Sequence, residues 1–370
     1  MFIKKEHKIL FIVSSLNQGG LETYLLRFLK HTGLPNVHVL CKLGILGNLY
    51  SEYESVTDSV ISMKLGYVNL FSWIRLYMYM RENRFTTVCD FTGNFAGIPL
   101  CIAFFAGVEK RISFYRGAEN HFEMTLLRIQ YNNFVRWLTL HYSTVILSNS
   151  QAALDYFYPV INRGNPFFKV IYNGVDTSKF VRSDKTAILE EFNIPVGAFV
   201  VGHTGRVCYA KNHNTIIEVA IKLCSTHKDI YFVLAGKGVD STYREKIEKL
   251  QLEPQILLLG YRDDVARLLN IFDLFYFPSV TEGQPNSLLE AMTSGIPIVA
   301  SNIAPIKESV PSSIHHLLLN PLDVDAAVSR IEAYYLKRSL MQEAICQKWA
   351  ISNYASGKRF EIFRNILYSC

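Results

Sequence analysis

Glu282 and Glu290 stand eight positions apart in the run Thr281-Glu-Gly-Gln-Pro-Asn-Ser-Leu-Leu-Glu290. An ionised carboxylate only accepts hydrogen bonds, so each acid suits a pair of hydroxyls, such as those of a sugar or a ribose. The apolar run Asp273-Leu-Phe-Tyr-Phe277 precedes them; Gly295-Ile-Pro297 and then Ile298-Val-Ala300 follow. That order reads strand, turn, helix, strand. It puts both acids at the carboxyl end of a strand, where open α/β sheets bind ligands. Gly283 lets backbone approach a ligand closely, and a helix starting near Pro285 and Asn286 offers unpaired N–H groups to it.

Two cations lie upstream in Val200-Val-Gly-His-Thr-Gly205-Arg206-Val-Cys-Tyr-Ala-Lys211. They follow a buried-strand pattern, so they can meet an anion at the same sheet end. Fixed positive charge there stabilises a leaving group that gains negative charge more than it stabilises the ground state. Near the N-terminus, Lys8-Ile-Leu-Phe-Ile-Val13 leads through Gly19-Gly20-Leu-Glu22 into a helical pattern of Leu21, Leu25, Phe28 and Leu29. Backbone N–H groups at such a turn can face phosphate. Ala235-Gly236-Lys237-Gly238 forms a further glycine turn after a strand.

Together these segments resemble the E-x7-E, G-R-x4-K and G-G-x-E motifs of the GT-B glycosyltransferases, in particular the large retaining family 4, or group 1. The matches run from about residue 8 to 300, and include Asn173-Gly-Val-Asp176 and Leu257 to Val265. The resemblance implies that Glu282 and the backbone of Gly283, Gln284, Pro285, Asn286 and Ser287 meet a donor sugar, with Glu290 on the ribose. It implies that Gly205, Arg206 and Lys211 hold the diphosphate, with Gly19, Gly20 and Gly236 lining the phosphate region. Tyr261 and Arg262 fall in a loop over the nucleobase, held there largely by main chain. The usual N-domain histidine is not plainly present: Ser113-Phe-Tyr115-Arg116-Gly117 stands in its place, with His121 beyond. Arg116 and His121 are therefore candidates for a charge or hydrogen bond at the reacting centre, or for structural roles.

The implied fold is α/β: GT-B, two Rossmann-like domains with parallel sheets facing across a cleft. Ten apolar runs alternate with helical patterns, at 8–13, 36–41, 86–91, 111–115, 144–148, 198–202, 230–235, 256–259, 273–277 and 297–300. At 370 residues the chain needs two cores. Boundaries are placed at 1–178, 179–352 and a helix within 353–370 that returns to the first domain. The implied reaction moves a hexose or N-acetylhexosamine from a nucleotide diphosphate sugar to a hydroxyl acceptor, with retention; UDP is preferred to GDP. The acceptor is expected to be a lipid-linked saccharide of a bacterial surface polysaccharide. A sugar-nucleotide epimerase and a donor-binding pseudo-transferase subunit are the alternatives.

Residues 1–178 carry 17 Lys+Arg against 12 Asp+Glu, and the remainder 21 against 20. The excess falls on two aromatic, basic segments, 71–81 and 126–138. Lys4, Lys5, Arg75, Arg81, Arg84, Arg128 and Arg136 are reasonable contacts for an anionic lipid surface. The apolar residues between them are expected to pack on the sheet. No motif accompanies the charge that would favour nucleic acid. The seven cysteines form no C-x-x-C pair, which favours reduced thiols. No signal-peptide pattern is evident at Met1, and a cytoplasmic location, with optional peripheral attachment at the inner membrane face, is expected. No cofactor or metal is expected, because Asp323 and Asp325 read as a helix start rather than a D-x-D metal site.

Overall fold

A parallel strand covered by helices on both faces needs no polar alternation, so it reads as an unbroken apolar run. In the computed structural model, which describes residues 7–117, 125–180, 184–337 and 342–369, each of the ten runs is a strand. The first sheet holds β1 (Ile9–Val13), β2 (Val37–Cys41), β3 (Ser59–Ser62), β4 (Thr87–Asp90), β5 (Lys110–Tyr115), β6 (Val145–Ser148) and β7 (Phe168–Val170). The second holds β8 (Phe199–Thr204), β9 (Ile230–Ala235), β10 (Ile256–Gly260), β11 (Leu274–Phe277) and β12 (Ile298–Ala300). Strands β3 and β7 had no apolar run to announce them. They are the two edges of the first sheet, short and partly exposed.

All pairings are parallel. The orders are β3-β2-β1-β4-β5-β6-β7 and β10-β9-β8-β11-β12. In each sheet the chain winds outward on one side of its first strand and then resumes on the other. The reversal falls between β1 and β4 in one sheet and between β8 and β11 in the other, which places a ligand crevice at those carboxyl ends.

The chain divides into a first unit of Met1–Gly174 with Gly357–Cys370 and a second of Val175–Ser356. The breaks differ from the 178/179 and 352/353 positions read from sequence. Val175 N bonds Tyr354 O at 2.7 Å and Ser356 N bonds Val175 O at 2.9 Å, which ties both crossing strands into the second unit. The Ser356–Tyr368 helix then buries Phe360, Phe363, Ile366 and Leu367 in the first unit's core. Phe363 meets Phe28 at 4.7 Å and Phe114 at 5.4 Å between ring centres. Truncating it to alanine should cost about 3–5 kcal/mol.

The helices Leu70–Asn83 and Leu126–Tyr142 depart from the packing expectation. Only Ser72, Leu76 and Met80 are buried in the former, while Phe71, Ile74 and Met78 are exposed. In the latter Leu126, Leu127, Phe134 and Trp137 are exposed. Arg75, Arg81, Arg84 and Arg128 are exposed near these residues in sequence, and Arg136 is half-buried. Lys4 and Lys5 lie outside the described residues.

Candidate active site

The second unit builds its site at the reversal between β8 and β11. After β8 the chain turns through Gly205 and Arg206, makes one short turn at Tyr209–Lys211, and enters the His213–Thr226 helix. After β11 it passes Glu282 and enters the Asn286–Thr293 helix. Two backbone-directed contacts stitch these loops together: Val280 N to Ala210 O at 2.9 Å, and Asn212 Nδ2 to Pro278 O at 3.2 Å. Lys211 Nζ donates to Glu282 Oε1 at 2.6 Å, with both side chains largely shielded and the ammonium 4.5 Å above the Phe277 ring. Arg206 is exposed and has no ion-pair partner among the described residues. One cation is thus held by an acid and another is free to receive an anion.

Glycine is required where β9 ends. A Cβ on Gly236 would lie 1.9 Å from the Gly205 carbonyl oxygen, so only hydrogen there lets the two turns touch. Gly205 N in turn bonds Ala235 O at 2.9 Å. Beneath the turn, His213 Nε2 donates to Gly205 O at 3.1 Å, and His203 Nδ1 donates to Tyr276 O at 2.9 Å. Burial pulls the His213 imidazole down to about 4, against the opposing pull of the Gly205 carbonyl; Lys211 adds to the depression. These two histidines were not singled out from sequence as site residues. A histidine inside a buried strand and another opening a helix were the available signals.

Gln284 and Pro285 are buried, and Gly283, Asn286, Ser287 and Glu290 are partly exposed around the start of the Asn286–Thr293 helix. Glu290 lies one turn inside it. Tyr261 is exposed beyond β10. Arg262 is already committed: it grips Asp264 at 2.8 and 2.6 Å and lies over Phe192. Its side chain secures the loop, which leaves the loop's main chain as the part that would meet a base.

In the first unit, Gly19 caps the Gly20–Thr32 helix at the β1/β4 reversal. The loop before it is braced by the segment after β2: Leu16 N bonds Leu46 O and Leu49 N bonds Leu16 O, each at 3.0 Å. Arg116, just past β5, lines a cavity of about 600 Å3 with Lys42, Thr92, Phe95 and Tyr131 among others. Lys42 directly follows β2 and Asp90 ends β4; they lie 4.0 Å apart, and Lys42 Nζ also bonds Phe95 O at 3.0 Å. Burial lowers the Lys42 pKa and raises that of Asp90, each opposed by the partner's charge. Neither was a sequence candidate, although a charge ending an apolar run was a readable signal. His121 lies outside the described residues.

Asp323 accepts from Ala326 N at 2.9 Å and so caps the Val324–Lys337 helix; Asp325 pairs with Lys222 at 2.6 Å. Their side chains serve a helix start and a surface ion pair.

Solved structures share this architecture along the whole chain. Anabaena HepE in complex with UDP and glucose superposes with a TM-score of 0.81 at 20% identity, over 99% of this chain and 100% of that one. A lipopolysaccharide outer core galactosyltransferase, WaaB, gives 0.69 at 16%, over 98% and 99%. The fold is GT-B. Residues 184–348, in the second unit, match the model of glycosyl transferases group 1. An Escherichia coli relative, UDP-Gal:alpha-D-GlcNAc-diphosphoundecaprenol alpha-1,3-galactosyltransferase, is 31% identical over 44% of this chain and 43% of its own length. Bacillus subtilis EpsF, a putative glycosyltransferase, is 27% identical over 56% of this chain and 57% of its own. The chain thus aligns with about half the length of these curated relatives.

Proposed function

We propose that the chain is a retaining glycosyltransferase that moves a hexose or N-acetylhexosamine from a UDP-sugar to a hydroxyl of a lipid-linked saccharide in bacterial surface polysaccharide synthesis. The observation that carries the reading is the Lys211–Glu282 pair at the β8/β11 reversal, with Arg206 free beside it in sequence. The names of relatives support the donor and acceptor classes, since the E. coli relative's name specifies a UDP-sugar and a diphosphoundecaprenol-linked acceptor.

In this reading the donor diphosphate lies against Arg206 and Lys211, Glu282 accepts from the sugar hydroxyls, and Glu290 accepts from the ribose diol. As the glycosidic bond breaks, charge grows on the diphosphate, and the cations of Arg206 and Lys211 stabilise it. Lys211 is already oriented by Glu282, so little is lost in ordering it. No carboxylate is assigned as a covalent nucleophile. The acceptor hydroxyl attacks on the face the leaving group departs from, its proton taken by the departing phosphate. The acceptor binds in the first unit.

No helix among the described residues is long and apolar enough to cross a membrane. Peripheral attachment at a cytoplasmic membrane face fits the exposed Phe71, Ile74 and Trp137 with their neighbouring arginines.

The test is a thermal-shift panel of UDP- and GDP-sugars followed by a transfer assay. UDP-sugars should raise the melting temperature and support transfer. Epimerised donor without acceptor would favour an epimerase, and nucleotide binding without turnover a pseudo-transferase.

A further inference from the structure

Among the described residues, the first-unit cavity is lined by three cations, Lys42, Lys64 and Arg116, and by no Asp or Glu. Lys42 is balanced by Asp90 behind it. Lys64 is exposed at the surface, and Arg116 is the unusual member. Its guanidinium carbon sits 3.9 Å from the centre of the Tyr24 ring, with Phe114 at 5.1 Å, so aromatic faces pin it. Its Nε and Nη1 are buried without a hydrogen-bond partner among the described residues. Burial lowers its pKa to about 10, with Tyr24 and Glu22 pulling the other way, so it stays a cation at neutral pH. A buried guanidinium with unmet donors is costly to leave unpaired, and its planar fork matches an oxyanion.

The rest of the wall suits a sugar. Tyr67, Phe95 and Tyr131 meet edge to face or tilted, with centroids 6.3, 5.5 and 6.5 Å apart. The Phe95 wall is held by Lys42, which bonds its carbonyl at 3.0 Å. The neighbouring Asn94 accepts from Tyr115 Oη at 2.5 Å and donates to Asn132 Oδ1 at 2.9 Å. A cavity of about 600 Å3 has room for a small saccharide, since ligand pockets run from roughly 300 to 1,000 Å3.

Resting on the glycosyltransferase reading, we propose that this cavity selects acceptors bearing an oxyanion, a phosphate ester or a carboxylate, which Arg116 and Lys64 bind while a sugar ring lies against Tyr67, Phe95 and Tyr131. Arg116 and Lys64 are specificity residues for the acceptor; the donor diphosphate is held in the second unit.

The experiment is isothermal titration of the full chain with three probes: N-acetylglucosamine joined to an octyl tail through a diphosphate, octyl glucuronide, and neutral octyl N-acetylglucosaminide. UDP is titrated alongside. An anionic probe should bind about tenfold more tightly than the neutral one, the size expected of one charge-assisted contact. Which anionic probe gains identifies phosphate or carboxylate. Arg116→Gln and Lys64→Ala should each erase most of that preference and leave UDP affinity unchanged. Lys64 is at the surface, so its variant carries the test if Arg116→Gln unfolds. Equal behaviour of the three probes, with UDP still bound, overturns this inference alone, as does a variant that loses UDP instead of the acceptor preference. A parent chain that binds no UDP overturns the glycosyltransferase reading.

Discussion

Lys211 Nζ and Glu282 Oε1 lie 2.6 Å apart although 71 residues separate them in sequence. Because both side chains are largely shielded, neither is satisfied by water if its partner is removed. The pair joins the loop after β8 to the loop after β11, so it fixes the geometry of the reversal as well as its charge.

Arg206→Ala and Lys211→Ala should each lower kcat for sugar transfer more than they weaken donor binding. The expected loss is about 2–4 kcal/mol in the barrier, as for other deleted electrostatic stabilisers. Lys211→Ala should also lower stability, since it strands Glu282. Steady-state kinetics with the preferred UDP-sugar decide it; near-normal turnover in both variants would remove the diphosphate assignment.

The two acids should separate in binding. Glu290→Gln is expected to weaken UDP itself, because the ribose diol loses a charged acceptor. Glu282→Gln should leave UDP affinity nearly intact and depress transfer. Calorimetric titration of UDP into both variants is the check, and the reverse pattern would exchange their roles.

Transfer should survive EDTA. Arg206, Lys211 and the N–H groups at helix starts supply the positive potential that a metal provides elsewhere. Asp323→Asn keeps the cap on Ala326, and Asp325→Asn removes only an exposed pair with Lys222, so stability should change by less than about 1 kcal/mol. Activity lost to EDTA and restored by manganese would reopen the Asp323-Asp325 metal reading.

His213 makes stability fall with acid. Its folded pKa is about 4 against an ordinary 6.5, chiefly through burial. Between those values the unfolded chain takes up a proton that the folded chain refuses, so this contribution is present above pH 6.5 and is lost as pH falls toward 4. The loss amounts to about 3 kcal/mol. His213→Gln should flatten the pH dependence of urea unfolding across that window. Identical slopes for parent and variant would exclude His213 as the source.

Phe71→Ser with Ile74→Ser should reduce sedimentation with vesicles containing phosphatidylglycerol. Both side chains are exposed, so stability should stay within about 0.5 kcal/mol. Unchanged vesicle binding would place attachment elsewhere.

The interior strands and the turns after them were legible because each is a local signal: an apolar run, then a glycine or a charge. Gly19, Gly205 and Glu282 could be placed at sheet ends on that basis. The edge strands β3 and β7 were not legible, because a short strand half open to solvent needs no apolar run. Helix faces were misread for the opposite reason. Apolar content alone cannot say that Phe71 and Trp137 face outward, since that depends on where the sheet lies.

The sequence alone determined the parallel α/β class, the two cores and the local motifs, all set by contacts within a few residues. Only the tertiary structure decided that Lys211 meets Glu282, that Lys42 meets Asp90, and that Arg116 enters the same cavity as Tyr67. Those meetings follow from strand order. Crossover connections put β1 beside β4 and β8 beside β11, and the order in which strands pair leaves no period in the chain that forms them.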